Sequence, residues 1–401
     1  MQFNDNDERE GEKLSQTASM SKELELTWVE IDKTALTHNM REFRRIVGDG
    51  TVLCPCVKAN AYGHGLVEAG RIFIEAGADW LCVNSIYEAQ TLREAGVKEP
   101  IYVIGYTSLD NLEQAIDLKL RLIVYNKETV QKLGEILQNR IGKAGYEERE
   151  EIKLHLKVET GNNRQGVHLE DLVDFAIEIA KYPGLELEGI ATHFANIEDT
   201  TDHSYAEKQL EKFKQADRIL KEAGFDLKAN NCANSAATIL FKKTHMAVVR
   251  VGISSYGMWP SNETYVSYLK EIGGEFSLKP AFTWKAKIAQ IKEINAGEFV
   301  GYGCTFKTSH KTKLAIIPIG YSDGYDRCVN GAYVLINGKR AAVRGRVCMN
   351  IIMVDVTDIP EVKLEDEVVL IGKDGEEEIS CETFASWAGT INYEIPTRVS
   401  C

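Results

Sequence analysis

The feature that most limits this chain's fold is an alternation between about residues 50 and 255, where short apolar runs alternate with longer amphipathic stretches. The runs are Val52–Lys58, Trp80–Asn84, Ile101–Gly105, Leu120–Tyr125, Ile152–Glu159, Leu187–His193, Leu227–Cys232 and Val248–Gly252. Helical patterns such as Gly65–Ala76, Ile86–Ala95 and Tyr205–Ala223 lie between them. Short strand-like runs spaced by helix-length segments specify parallel strands joined by crossover helices. About eight such units in about 200 residues fit a closed (β/α)8 barrel of the TIM type. A doubly wound open sheet is the alternative that the same alternation allows.

After about residue 265 the pattern changes. Short β-rich runs follow one another: Phe282–Ile291, Lys313–Pro318, Ala332–Ile336, Ala341–Val347, Ile352–Val356 and Glu367–Ile371. Asn337-Gly338 and Lys373-Asp374-Gly375 supply turns between them, which reads as a mostly antiparallel β domain. The expected organisation is a charged tail over 1–23, a barrel over 24–265 and a β domain over 266–401. The run Leu24–Ile31 stands apart from the barrel and is a candidate to pair with the β domain.

Charge and cysteine content narrow the function. The formal net charge is −13 and no basic stripe interrupts it, which argues against nucleic acid as a partner. Any site for an anionic ligand must be built locally from Arg, Lys or backbone N–H groups. The first 25 residues carry no apolar segment of a secretory signal, and no apolar run approaches the ~18 residues of a membrane span. Nine cysteines without a Cys-x-x-Cys pair read as free thiols in a reducing cytoplasm, and neither they nor eight scattered histidines form a metal motif.

The chemistry concentrates where the first barrel run ends, in Val57-Lys58-Ala59-Asn60-Ala61-Tyr62-Gly63-His64-Gly65. A Lys at the end of an apolar strand sits at the C-terminal mouth of a barrel, where active sites are built. An amine in a partly apolar site can lose its proton and act as an imine-forming nucleophile or a proton carrier. Tyr62 and two glycines follow closely and let a phosphate or a ring approach the backbone.

This segment resembles the cofactor-lysine motif of the alanine racemase family. Further stretches resemble later motifs in family order: LKVETGNNRQGV (156–167), ATHFANIED (191–199), CANSAAT (232–238), VVRVGISSYG (248–257), VGYGCTF (300–306), IPIGYSDG (317–324), GRVCMN (345–350) and INYEIP (391–396). The resemblance spans about residues 25 to 396.

It implies a pyridoxal 5'-phosphate enzyme that interconverts L- and D-alanine and supplies D-alanine for peptidoglycan. Lys58 would hold the cofactor as an imine and serve as one base, and Tyr302 would act on the opposite face. Racemisation needs such a pair, because a proton leaves one face of Cα and returns to the other. Arg250 would face the pyridine nitrogen, where a permanently protonated guanidinium cannot readily give up a proton and so weakens the electron sink. The Tyr62 and Ser235 hydroxyls, the Gly252 and Ile253 amides and Tyr393 would hold the phosphate. Arg164 would meet the substrate carboxylate, and Lys157 matches a lysine that many members carbamylate. His193 would join the hydrogen bonds beside the second base, and Tyr321 and Met349, with Tyr393, would border the substrate. The resemblance also implies a head-to-tail homodimer in which Tyr302 reaches the partner's site.

Two departures from the family pattern bear on substrate choice. Asn162-Asn163 stand where Met-Gly is usual before Arg164, and Asn350-Ile351 where Asp-Gln is usual. They motivate an alternative, racemisation of serine or a broader set of amino acids. A decarboxylase on the same barrel is disfavoured by Arg250, since those enzymes place an acid at that position. A non-catalytic cofactor-binding protein is disfavoured by the β domain carrying Tyr302.

Overall fold

The computed structural model describes residues 26–141 and 151–400, so the expected tail over 1–23 lies outside the described residues. The chain divides into two compact units, residues 32–281 and a second unit that joins the strand before residue 32 to the residues from Phe282 onward.

The second unit begins with β1 (Thr27–Ile31), and the first holds the parallel strands β2 (Val52–Pro55), β3 (Leu81–Val83), β4 (Ile101–Val103), β5 (Arg121–Val124), β6 (Ile152–Lys157), β7 (Leu185–Ala191) and β8 (Val248–Val251). Strands β3 to β7 form one continuous sheet, and β2 pairs with β8 in register Cys54↔Arg250. A bridge between Cys56 and Cys82 joins β2 to β3. The seventh position is filled by an extended segment around Asn231, which bridges Ala191 and bonds to β8 through Val248 N–H to Asn230 O (3.3 Å) and Arg250 N–H to Ala233 O (3.1 Å). The (β/α)8 barrel therefore closes. Only the expected run Leu227–Cys232 fails to become a regular strand. Its two asparagines explain this, because Asn230 and Asn231 spend their side chains on neighbouring backbone groups and compete with the ladder.

Helix boundaries follow local chemistry. Asp32 caps Lys33–Val47 by accepting from the Thr34 and Ala35 amides. Ser85 and Glu88 form a capping box at Ile86–Glu94.

The segment after β2 is unusual. Ala59, Asn60, Ala61 and Tyr62 all have positive φ, between 52° and 54°, so the chain makes a left-handed turn directly after Lys58. Each non-glycine residue so placed costs roughly 1–2 kcal/mol. Hydrogen bonds fix the turn: Ala61 N–H to Val57 O (2.8 Å), Gly65 N–H to Asn60 O (3.0 Å), and Leu66 N–H to Asn60 Oδ1 (2.9 Å). Tyr62 and His64 stack on buried Tyr256, with ring centroids 5.1 and 4.4 Å away. Glu88 then works twice. One oxygen accepts from Asn84 and Ser85 at its helix start, and the other accepts from Ala59 N–H at 2.7 Å.

In the second unit all the pairing is antiparallel. It adds β9 (Phe282–Lys287), β10 (Gln290–Ile294), β11 (Phe299–Val300), β12 (Phe306–Lys307), β13 (Thr312–Ile317), β14 (Tyr333–Ile336), β15 (Lys339–Val343), β16 (Ile352–Asp355), β17 (Glu367–Asp374) and β18 (Glu377–Ile379). The main sheet runs β1-β9-β17-β14-β15-β16-β13-β10. β1 pairs with β9 from Thr27↔Ala286 to Ile31↔Phe282. Strand β9 alternates buried Phe282, Trp284 and Ala286 with partly exposed residues, the period of a half-buried strand. Trp284, Tyr325 and Phe384 lie in its core.

The boundary differs from the expected one after residue 265. That point falls inside a helix, Asn262–Glu271, started by Ser261 Oγ accepting from Thr264 N–H (3.0 Å). This helix belongs to the barrel unit: its Tyr268 packs against Phe276, which packs edge-on against Phe43 of Lys33–Val47. The division lies between Ala281 and Phe282.

The barrel interior carries charge. Glu188 accepts from both Arg121 Nε (2.9 Å) and Nη2 (3.1 Å), and Lys153 lies 3.1 Å from it. Burial opposes ionisation of Glu188, but His155 and Arg121 overcome it and hold the carboxyl down to about 2, against an ordinary 4.5. A depressed carboxyl stabilises the fold above its unfolded pKa and loses that contribution as pH falls through the folded value. Stability is thus expected to fall by about 3 kcal/mol between pH 4.5 and 2 on this account. Glu188→Gln should be less stable at pH 7 and should lack this acid limb in chemical denaturation. A variant keeping the full limb would show that other carboxyls carry it. For the turn, Glu88→Ala is expected to cost on the order of 1–3 kcal/mol and to quicken hydrogen exchange at the Ala59 amide. Unchanged exchange there would mean that the turn holds without Glu88.

Candidate active site

Nine of the thirteen expected site residues lie in the barrel unit, at the ends of its strands: Lys58, Tyr62, Lys157, Arg164, His193, Ser235, Arg250, Gly252 and Ile253. Lys58 is half-buried and directly precedes the left-handed turn, which returns the chain so that Tyr62 faces Gly252. A Cβ on Gly252 would stand 2.8 Å from the Tyr62 hydroxyl and 3.9 Å from the Ser235 hydroxyl, so a glycine is needed for two hydroxyls to converge on its backbone. Ser235 Oγ accepts from Gly252 N–H at 2.8 Å. Ser235 begins Ser235–Leu240, capped by Asn234, and Ile253 begins the short turn Ile253–Tyr256.

Arg250 is buried and held along one edge. Its Nε donates to Asn231 Oδ1 and its Nη2 to Thr192 O, both at 2.7 Å. Lys157 ends β6 and is also buried. Burial holds its amine well below the usual lysine range, and Arg250 and Arg164 act the same way against an opposing Glu159. Burial also pushes the His193 imidazole well down, helped by Arg250, Lys157, Arg164 and Lys58. Lys58, Lys157, Arg164 and Arg250 thus all lie near enough to act on His193, which gives a local positive field in a chain of net charge −13. That field suits a ligand with two anionic ends.

Arg164 is exposed on a loop whose shape is set by Asn163 at φ 54° and by Gly166, where a Cβ would meet the Glu159 backbone nitrogen at 2.6 Å. Asn162 Nδ2 points at the His193 and Phe194 carbonyls (3.4 and 3.5 Å), so the departure from the family pattern there is engaged within the loop.

The other four residues lie in the β unit. Tyr302 opens a short turn after β11 and is 67% exposed. Gly301 and Gly345 let that turn lie against the Gly345-Arg346 backbone, since a Cβ on Gly345 would stand 2.5 Å from Val300 O. Three residues on, Cys348 and Met349 carbonyls accept from Tyr321 N–H (3.1 Å) and Ser322 N–H (3.0 Å). Tyr302, Tyr321 and Met349 are thus tied together by backbone, and Met349 and Tyr321 are 56% and 42% exposed. Tyr393 is half-buried at the start of Glu394–Arg398. Asn350 donates to Ser322 Oγ (2.6 Å) and lies 3.4–3.5 Å from Asp323, whose carboxylate restores local negative charge.

Several residues that shape the site escaped sequence reasoning. The capping box Ser85–Glu88 was legible as a helix start, but its reach to Ala59 needed the fold. Asn231, Tyr256, His155 and Glu188 are single polar or aromatic residues within or beside apolar runs and carry no motif of their own.

Sequence models of the alanine racemase N-terminal and C-terminal domains match residues 31–260 and 281–401. An alanine racemase of Desulforamulus reducens is 41% identical over 371 residues, covering 92% of this chain and 95% of that protein. One from Leptospira interrogans is 38% identical over 96% of this chain and 97% of its own length. Among solved structures, the alanine racemase of Clostridium difficile 630 superposes with a TM-score of 0.85 at 34% identity, covering 94% of each chain. That of Bacillus anthracis with bound L-Ala-P gives 0.84 at 36% identity, covering 94% of this chain and 93% of that one. With both domain models matched over nearly its whole length, the chain belongs to the alanine racemase family.

Proposed function

We propose that this protein interconverts L- and D-alanine with pyridoxal 5'-phosphate held by Lys58. The observation that carries the reading is the convergence of Lys58, two hydroxyls around Gly252 and the cationic group at one barrel mouth. The site fits the cofactor on its donor chemistry. The Tyr62 and Ser235 hydroxyls and the Ile253 amide, with the Gly252 amide that here donates to Ser235 Oγ, would make a cradle for a phosphate dianion that a side chain at 252 would fill. Arg250 offers a fixed guanidinium for the ring nitrogen, and the family resemblance makes Tyr393 the candidate for a phosphate or substrate contact. When bound, pyridoxal phosphate would draw electron density away from the substrate Cα and make its proton removable.

The residues of the chain would then do the rest. Lys58 Nζ holds or accepts a proton on one face of Cα, and the Tyr302 hydroxyl exchanges one on the other. Arg164 binds the substrate carboxylate, and His193, kept neutral by burial and by the surrounding cations, can accept a hydrogen bond beside the second base. Tyr321 and Met349 would border the substrate side chain. Lys157, with its lowered amine, is suited to form a carbamate with carbon dioxide, losing one proton to water and placing an anion within the influence of Arg164 and Arg250.

The exposure of Tyr302, Tyr321 and Met349 in the single chain supports a homodimer in which they complete the partner's site. No helix among the described residues is long and apolar enough to cross a membrane. A cytoplasmic enzyme supplying D-alanine for peptidoglycan is the setting we propose.

Serine is the second reading. The direction of the Asn162 Nδ2 group at backbone carbonyls and of the Asn350 Nδ2 group at Ser322 favours alanine, because both donors are already turned to partners within the chain. Turnover measured over a panel of amino acids should put L-alanine well ahead, and faster serine conversion would sink the alanine assignment. Tyr302→Phe is expected to slow racemisation by roughly 10²–10⁴-fold with cofactor still bound. Lys58→Ala should lose both covalent cofactor and activity. Parent-rate racemisation by Tyr302→Phe would refute the two-base assignment.

A further inference from the structure

Behind Arg250 a line of buried polar groups runs through the barrel. Arg250 Nε donates to Asn231 Oδ1 at 2.7 Å, Asn231 Nδ2 lies 3.1 Å from His155 Nδ1, and His155 Nε2 lies 3.0 Å from Glu188 Oε2. Asn231 and His155 are wholly buried and Glu188 nearly so. Arg121 grips Glu188 with two N–H groups and stacks over Trp80 at 4.2 Å, and Lys153 completes the ring of charges around the carboxylate.

The donor sense of this line is determined from both ends. An ionised Glu188 only accepts, so His155 Nε2 carries the hydrogen. A neutral imidazole then presents a bare Nδ1, which takes the Asn231 N–H. From the other end, a guanidinium only donates, so Asn231 must turn its oxygen toward Arg250. Both ends demand the same orientation of the Asn231 amide. A doubly protonated His155 would break it, and burial holds that imidazole below its usual range despite the pull of Glu188.

The backbone is also arranged for this. The β6–β7 register shifts between Leu154↔Leu187 and His155↔Gly189, leaving Glu188 as an unpaired bulge residue. A bulge re-aims a side chain. Here it sets the carboxylate beside His155, while Glu188 O accepts from Lys228 and Ala229 N–H (2.8 and 2.9 Å) on the segment that carries Asn231. Gly189 permits that approach, since a Cβ there would stand 2.5 Å from the Ala229 carbonyl carbon.

We infer that Glu188, His155 and Asn231 are positioning residues for Arg250, a one-directional hydrogen-bond chain that ties its guanidinium to a buried carboxylate and fixes which N–H groups remain for a ligand. With Asn231 and Thr192 on the Nε and Nη2 edge, the end bearing Nη1 is left to the ligand. The inference rests on the reading that Arg250 faces the cofactor ring. By holding Arg250 in one orientation, the chain sets how strongly the ring withdraws electrons. It therefore controls the balance between racemisation and the competing exchange in which alanine and bound pyridoxal phosphate become pyruvate and pyridoxamine phosphate, the amino group passing to the cofactor and the oxygen to the product.

The test uses the holoenzyme and the variants Asn231→Leu, Glu188→Gln and Arg250→Lys. Two readouts apart from rate are followed: the pH titration of the bound cofactor's absorbance, and pyruvate formed per D-alanine. Asn231→Leu and Glu188→Gln are expected to raise the pyruvate ratio by roughly tenfold, the scale on which outer partners of an oriented group act. Both should move the absorbance titration in the same direction as Arg250→Lys. Combined with Arg250→Lys, the Asn231→Leu effect should be largely absorbed rather than added. Should Glu188→Gln fail to fold, the uncharged, similarly sized Asn231→Leu still breaks the chain. If Arg250→Lys shifts both readouts and folded Asn231→Leu shifts neither, the chain is only filling and the inference is overturned. If Arg250→Lys shifts neither, the placement of Arg250 against the ring is wrong and the inference falls with it.

Discussion

The left-handed turn after Lys58 is the constraint from which the site follows. Four successive L-residues in that conformation would not persist in an isolated peptide. They persist here because the turn is held at its start by Glu88, in its middle by Asn60 and along its flank by Tyr256. The strain has a geometric yield. A right-handed continuation from Lys58 would carry Tyr62 away along a helix, whereas the left-handed one folds it back over Gly252, so one strand end presents both an amine and a hydroxyl. Strain retained at a site and compensated by surrounding contacts is a common signature of pre-organisation.

The charge pattern completes that arrangement. Most of the protein is acidic, yet the barrel mouth gathers Lys58, Lys157, Arg164 and Arg250 around His193. Such a group is costly without anions, and the chain supplies few of its own. Glu159 opposes the field at Lys157, and Glu188 anchors it from below through two neutral side chains. The remaining imbalance is of the kind that a phosphate, a carboxylate and a carbamate would relieve, so the charge of the site favours a ligand with more than one anionic group.

Much of this was legible in the sequence because it depends on local periodicity. The eight apolar runs correspond to the barrel positions, and the two-residue alternation in Phe282–Lys287 announces a half-buried strand. The errors have physical causes. The break in texture near residue 265 marked the last barrel helix and the Gly273-Gly274 that follows it, not the unit boundary, because the end of a helix and the end of a unit look alike in sequence. The seventh run was apolar enough to suggest a strand, but two asparagines diverted its hydrogen bonds. Candidate site residues could be named where a motif carried them, as with Lys58 and Arg250. The supporting residues could not, since the pairing of Glu188 with His155 depends on a register shift that no single-strand pattern contains.

The seventh position also bears on how the barrel moves. Two places in the barrel lack a ladder, the β2–β3 seam and the segment around Asn231, and each is held by one isolated bridge and scattered backbone bonds. Local opening draws on the least bonded seams first. The same segment carries the amide that holds Arg250, so breathing of the barrel at this seam would be felt as a momentary loosening of the guanidinium. A change that stiffens this seam would in the same stroke steady the side chain that Asn231 holds.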